Sequence, residues 1–183
     1  MSMPRSSYQA FTIVELLIVI VVISILAAIT VTAYNGIQSR AHDSTIKSDL
    51  RSFYQSVQIS NTKEGVYPKW SSELTALSFK ASRGSYNTDN FNLVYCPPYP
   101  YDSSTSFAVL GRSKSGTIFY HGTDGNGIYN GSYTMNDYVD ICLDLTDKNN
   151  VFAGNYAADP QLYVTSAGYS RSANPQWNAW VAN

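Results

Sequence analysis

Charge is scarce in this chain: only 14% of its 183 residues are Asp, Glu, Lys or Arg, with 12 bases against 13 acids. Such a balance gives no bulk basic face for a nucleic acid. Histidine is scarcer still. His42 and His121 stand apart, with no GxSxG elbow and no zinc-ligand spacing, so an enzyme is not expected. Cysteine is limited to Cys96 and Cys142. Proline is missing from Tyr34 to Glu64, so nothing there removes a helical backbone donor. There is no internal repeat and no low-complexity tail.

What the chain does hold is one long apolar run. The 21 residues from Phe11 to Val31 would span roughly 30 Å as a helix, the hydrocarbon thickness of a bilayer. Glu15 lies near the start of the run with no base beside it in sequence. A carboxylate at the centre of such a span costs on the order of 2.5–3.5 kcal/mol, so it calls for a reason. Three readings fit: a cleaved signal with Val31-Thr32-Ala33 as its processing site, a plain single-pass anchor, and a segment withdrawn from the membrane into a helical bundle where Glu15 meets a positive partner. A carboxylate at the head of a signal that is discarded serves no purpose. The third reading is therefore favoured.

The residues FTIVELLIVIVVISILAAI resemble the N-terminus of type IV pilins and of the pseudopilins of type II secretion and competence systems. The resemblance is dense over Ala10–Tyr34 and includes the acid four residues after Phe11. It implies that a prepilin peptidase cuts between Ala10 and Phe11, removes the leader 1–10 and methylates the new Phe11 amine. Arg5 on the leader is expected to orient the helix in the cytoplasmic membrane as a single pass with its N-terminus inside. In a filament the Glu15 carboxylate would pair with the Phe11 amine of a neighbouring copy and fix axial register. The chain departs from the family pattern at two places: Ala10 stands where Gly is usual, and Thr30-Val31-Thr32 stands where many pilins have Pro. The implied partners are other copies or related pilins, the peptidase, an assembly ATPase with its platform, and the membrane. The implied destination is an extracellular or periplasmic filament. No nucleic acid is expected for a major subunit. The alternatives are a minor pilin with an adhesive, sugar- or DNA-binding head, and a secreted soluble protein cut after Ala33.

Beyond the membrane-length run, Ile46, Leu50, Phe53 and Val57 recur at spacings of 4, 3 and 4, an amphipathic helical stripe. Asp43 and Lys47 form one i,i+4 pair off that stripe. Gly36 is a weak point, and Gly65 followed by Pro68 marks the stop. The expected organisation is leader 1–10, filament-core helix 11–33, amphipathic continuation 34–64 and a β-rich head 65–183. Within the head, 71–77 reads as a short helix, and 106–111 with 116–121 as a hairpin. Tyr138–Leu145, where Val139, Ile141 and Leu143 alternate, reads as a strand, and Gln161–Thr165 as another. Thr123–Gly127 and Asn130-Gly131 read as turns. The fold class is α+β, a long helix packed on a small antiparallel sheet. Of the 15 tyrosines, 12 lie from Tyr67 onward, which suits an exported, solvent-exposed head.

In an oxidising compartment Cys96 and Cys142 are expected to pair. Asp124 and Asn126 lie where the pseudopilin resemblance places a calcium loop, with Asp137 and Asp140 as candidates to complete it. The plainer reading is an Asp-Gly and Asn-Gly turn, and no cofactor is expected. Ser60–Lys63, Thr88–Asn90 and Lys114–Gly116 imitate three motifs of penicillin-binding enzymes, but about 120 residues after the helix cannot house that fold. Trp177 and Trp180 are either a clamp holding the C-terminal segment to the core or a stacking platform.

Overall fold

The proline-free stretch and the apolar run before it form a single helix, α1, Ile13–Glu64, of 52 residues. The computed structural model describes residues 11–68, 71–89, 91–98, 106–146, 166–167, 169–170, 176–177 and 181. The leader, Gln161–Thr165 and Trp180 fall outside them. The helix persists through Gly36 and through Thr30-Val31-Thr32. It ends where a residue without a Cβ can turn left-handed: Gly65 has φ 74° and its N–H donates to the Asn61 carbonyl at 2.8 Å.

The chain divides into two units, with the boundary between Gln38 and Ser39. In the first, the apolar side chains from Ile13 to Val31 are about half or more exposed, and the segment is long and apolar enough to cross a membrane. Its two central hydroxyls are satisfied within the helix. Ser24 Oγ donates to the Ile20 carbonyl at 2.7 Å, and Thr30 Oγ1 to the Leu26 and Ala27 carbonyls at 3.0 Å each.

In the second unit α1 lies on an antiparallel sheet of five strands in the order β4-β3-β2-β1-β5. These are β1 Leu93–Cys96, β2 Ala108–Arg112, β3 Ile118–Gly122, β4 Gly125–Ile128 and β5 Ser166–Ala167. Strand alternation sorts the side chains onto two faces. Leu93, Tyr95, Phe107, Val109 and Phe119 meet Ile46, Leu50, Phe53 and Val57 of α1. Val94, Cys96, Ala108 and Leu110 point the other way, onto Ile141 and Cys142 of α3, Tyr138–Thr146. Every residue of β1 is therefore buried. The four stripe residues of α1 are fully buried or nearly so, each burial contributing on the order of 1.5–3 kcal/mol. Phe53 stacks on Phe79 with centroids 4.5 Å apart, and Tyr54 on Phe107 at 4.9 Å. Helix and sheet approach closely at Gly111. A Cβ there would lie 3.1 Å from Ile46 Cγ2 and 3.3 Å from Leu50 Cδ2.

The sheet-and-helix class and the hairpin of β2 and β3 agree with the sequence expectation, as does the short helix α2, Ser71–Ala76. The strand expected over Tyr138–Leu145 is the helix α3 instead. Alternation of Val139, Ile141 and Leu143 competes there with the helical spacing of Tyr138, Ile141, Cys142 and Leu145, and a short apolar run satisfies both patterns. The second set packs against β1 and β2, which decides it. The expected turn over Thr123–Gly127 is a turn only at Thr123 and Asp124; Gly125–Ile128 is the edge strand β4. The expected Asp43–Lys47 pair is replaced by two other contacts. Ser115 Oγ donates to Asp43 at 2.5 Å, and Lys47 Nζ lies 4.8 Å from the centre of the Phe119 ring. A two-stranded ribbon, β6 Tyr169–Ser170 with β7 Gln176–Trp177, completes the described residues.

Candidate functional site

The start of α1 is built by two residues three apart. Thr12 precedes the first helical residue, and its Oγ1 accepts the Glu15 N–H at 3.2 Å. The Glu15 carboxylate reaches back and accepts both the Thr12 N–H at 2.9 Å and the Thr12 hydroxyl at 2.7 Å. This reciprocal arrangement is a capping box, which satisfies donors that a helix start leaves open. Thr12-x-x-Glu15 ahead of an apolar run is a readable sequence signal for it, and the sequence reading missed it. Phe11, just outside the helix, is 80% exposed. Ala10, the other residue of the expected processing site, lies outside the described residues. Glu15 therefore holds its own helix start together while its neighbours Ile13, Val14, Leu16 and Leu17 stand exposed.

In the head, Cys96 and Cys142 form a disulfide with Cα atoms 5.3 Å apart. It ties α3 to β1 across the back face of the sheet. The candidate calcium residues are less well gathered. Asp124 lies on the β3–β4 turn and accepts from Ser106 Oγ at 3.4 Å, while Asn126 is an exposed residue of β4 paired opposite His121. Asp137 caps the turn before α3, accepting the Thr134 N–H at 3.1 Å and its hydroxyl at 2.8 Å, and Asp140 follows on α3. Among the described residues no three His, Cys, Asp or Glu side chains converge on one point. Trp177 packs edge-on against Tyr86 with centroids 5.5 Å apart, and the Arg83 guanidinium lies 5.3 Å from its ring. Trp177 is half-buried against the core, the clamp of the two expected roles.

The histidines have ordinary surroundings. His42 Nδ1 lies 3.2 Å from Ser85 Oγ. His121 lies against the Tyr54 ring at 4.4 Å, and burial, followed by the Arg51 charge, pushes its pKa down. Ser60 and Lys63 fall in the last two turns of α1. Burial and the Asp144 carboxylate, which accepts the Tyr129 hydroxyl at 2.6 Å, push the Tyr129 phenol well up.

The capped, apolar helix start has a known counterpart. Residues 5–31 match the prokaryotic N-terminal methylation motif. The chain carries a prepilin-type N-terminus. The prepilin similarity extends beyond the motif. Over 124 residues the chain is 27% identical to the type IV wide pilus major component PilA4 of Thermus thermophilus, covering 66% of this chain and 86% of that relative. Over 126 residues it is 26% identical to the type II secretion system core protein G of Klebsiella michiganensis, covering 67% of this chain and 89% of that protein. One of these relatives is thus a component of a pilus and the other a component of a secretion system.

Proposed function

We propose that this prepilin-like chain is a structural subunit of a type IV pilus-like filament. It is inserted with its N-terminus inside, cut between Ala10 and Phe11, methylated on the new amine and polymerised through α1. The observation that carries the reading is the methylation motif over residues 5–31 leading directly into a capped helix of 52 residues. The first part of that helix leaves its apolar side chains without cover inside the chain. Apolar area of that extent is removed from water either by lipid or by other helices. On this reading 1–10 is the leader, 11–33 the filament core, 34–64 the link under the head and 65–183 the head. A peptidase and an assembly ATPase with its platform are the machinery it needs.

Within the filament Glu15 turns from its own Thr12 toward the Phe11 amine of a neighbouring subunit. A carboxylate left unpaired among apolar helices is costly, so a subunit one step out of register is rejected. Mass spectrometry of the exported protein tests the whole reading. A methylated chain beginning at Phe11 is the expected result. A start at Tyr34 would instead indicate a discarded signal, and an intact leader a plain anchor.

A further inference from the structure

Among the described residues, two pairs of like charges on opposite faces of the sheet form no ion pair. On the α1 side Lys47 and Arg51, one helical turn apart and both exposed, border a groove of about 630 Å³ between α1 and strands β3 and β4. Like charges at i and i+4 weaken a helix. Lys47 lies over the Phe119 ring and the Arg51 charge is felt by His121; no acid among the described residues forms an ion pair with either. On the other side α3 carries Asp140 and Asp144, also four apart, and no base at all. Asp144 gives one oxygen to the Tyr129 hydroxyl and remains exposed. Four residues of helix advance about 6 Å, so the two pairs share one pitch.

We infer that the Lys47–Arg51 groove is a docking site for the α3 helix of a second copy of this chain, with Asp140 and Asp144 set against Lys47 and Arg51. This rests on the filament reading above and names one contact between heads. The placement favours a copy over another anionic partner. Cations on the front of the sheet and acids on its back cannot meet within one molecule, because the sheet lies between them. Front-to-back contact between copies uses two different patches, and such a heterologous interface is the kind that can repeat into an open filament. Tyr54 and Phe119 line the groove and give the arriving helix an apolar floor.

A zero-length carbodiimide, which joins a lysine amine to a carboxylate in contact with it, tests the pairing on the full-length protein, both in membranes and in sheared filaments. The expected product is an intermolecular amide between Lys47 and Asp140 or Asp144, identified by mass spectrometry. Reversal of one side, Lys47→Glu with Arg51→Glu, should cut filament yield about tenfold or more, as loss of a matched charge pair does. Adding Asp140→Lys with Asp144→Lys should restore it, which a merely misfolded head could not do. Filaments built from Phe11-started chains with no such cross-link would overturn the groove contact while leaving the filament reading in place. The cross-link in membranes without any filament would do the reverse. Undiminished assembly after reversal, together with lost binding of dextran sulfate, would assign the groove to another anion and also overturn the proposal.

Discussion

Glu15 accepts two hydrogen bonds from Thr12 and returns one, so the residue that the filament reading assigns to a neighbour is already engaged within its own helix. The capped state and the paired state use the same carboxylate. The two roles separate under substitution.

Glu15→Gln keeps an acceptor for the Thr12 N–H but loses the charge. It should leave the helix start intact, with normal membrane insertion, and still impair assembly. Glu15→Ala removes both functions and costs the helix start about 1 kcal/mol in addition. Sheared filament yield measures the first effect, and amide hydrogen exchange at residues 12–16 the second. Wild-type assembly by Glu15→Gln would show that the charge sets no register.

At Gly111 the sheet backbone comes close to helix α1. Gly111→Val places a branched side chain against Ile46, Tyr86 and Leu50, all within 3.3 Å of the first added atom. Overpacking of this kind should destabilise the head by about 1–3 kcal/mol. Chemical denaturation followed by tyrosine and tryptophan fluorescence checks it.

Reduction of the Cys96–Cys142 bridge frees a loop closed over a sequence separation of 46 residues. In the chain-entropy account that loses roughly 4 kcal/mol. Cys142→Ser with Cys96→Ser should lower the melting temperature and release α3 before the α1 side of the sheet, an order that hydrogen exchange would reveal.

His121 has its pKa lowered in the fold by burial and then by Arg51. A depressed histidine binds fewer protons folded than unfolded, so stability rises with pH. The contribution is fully present above about 6.5, the unfolded value. It is lost as pH falls from there through the lower folded value. Head stability should therefore hold above about pH 6.5 and decline as pH falls below it. His121→Phe, which keeps a ring against Tyr54, should flatten that decline in melting curves taken across the range.

Much of this was legible in the residues, and the exceptions share a cause. The stripe Ile46, Leu50, Phe53 and Val57 announces a helix because one period accounts for all four positions, and Gly65 announces its end. The 106–121 hairpin follows from alternation around Arg112–Ser115. Leu93–Cys96 gives no such sign. A strand covered on both faces has no polar alternate, and its four residues are too few for a pattern. β4 is hidden by its glycines, which read as turn. The Tyr138–Thr146 segment fits two periods, and only the back face of the sheet chooses between them. At the candidate site, Phe11, Glu15 and the cysteine pair stand out by type and position. The groove does not, since Lys47 and Phe119 come from distant parts of the chain and only packing brings them together.

The hydroxyls of Ser24 and Thr30 are turned onto carbonyls of their own helix. The acceptors of these two hydroxyls thus travel with the helix. When the surroundings change from acyl chains to neighbouring helices, no polar group must be unsatisfied on the way. On the filament reading, what is exchanged there is one apolar contact for another.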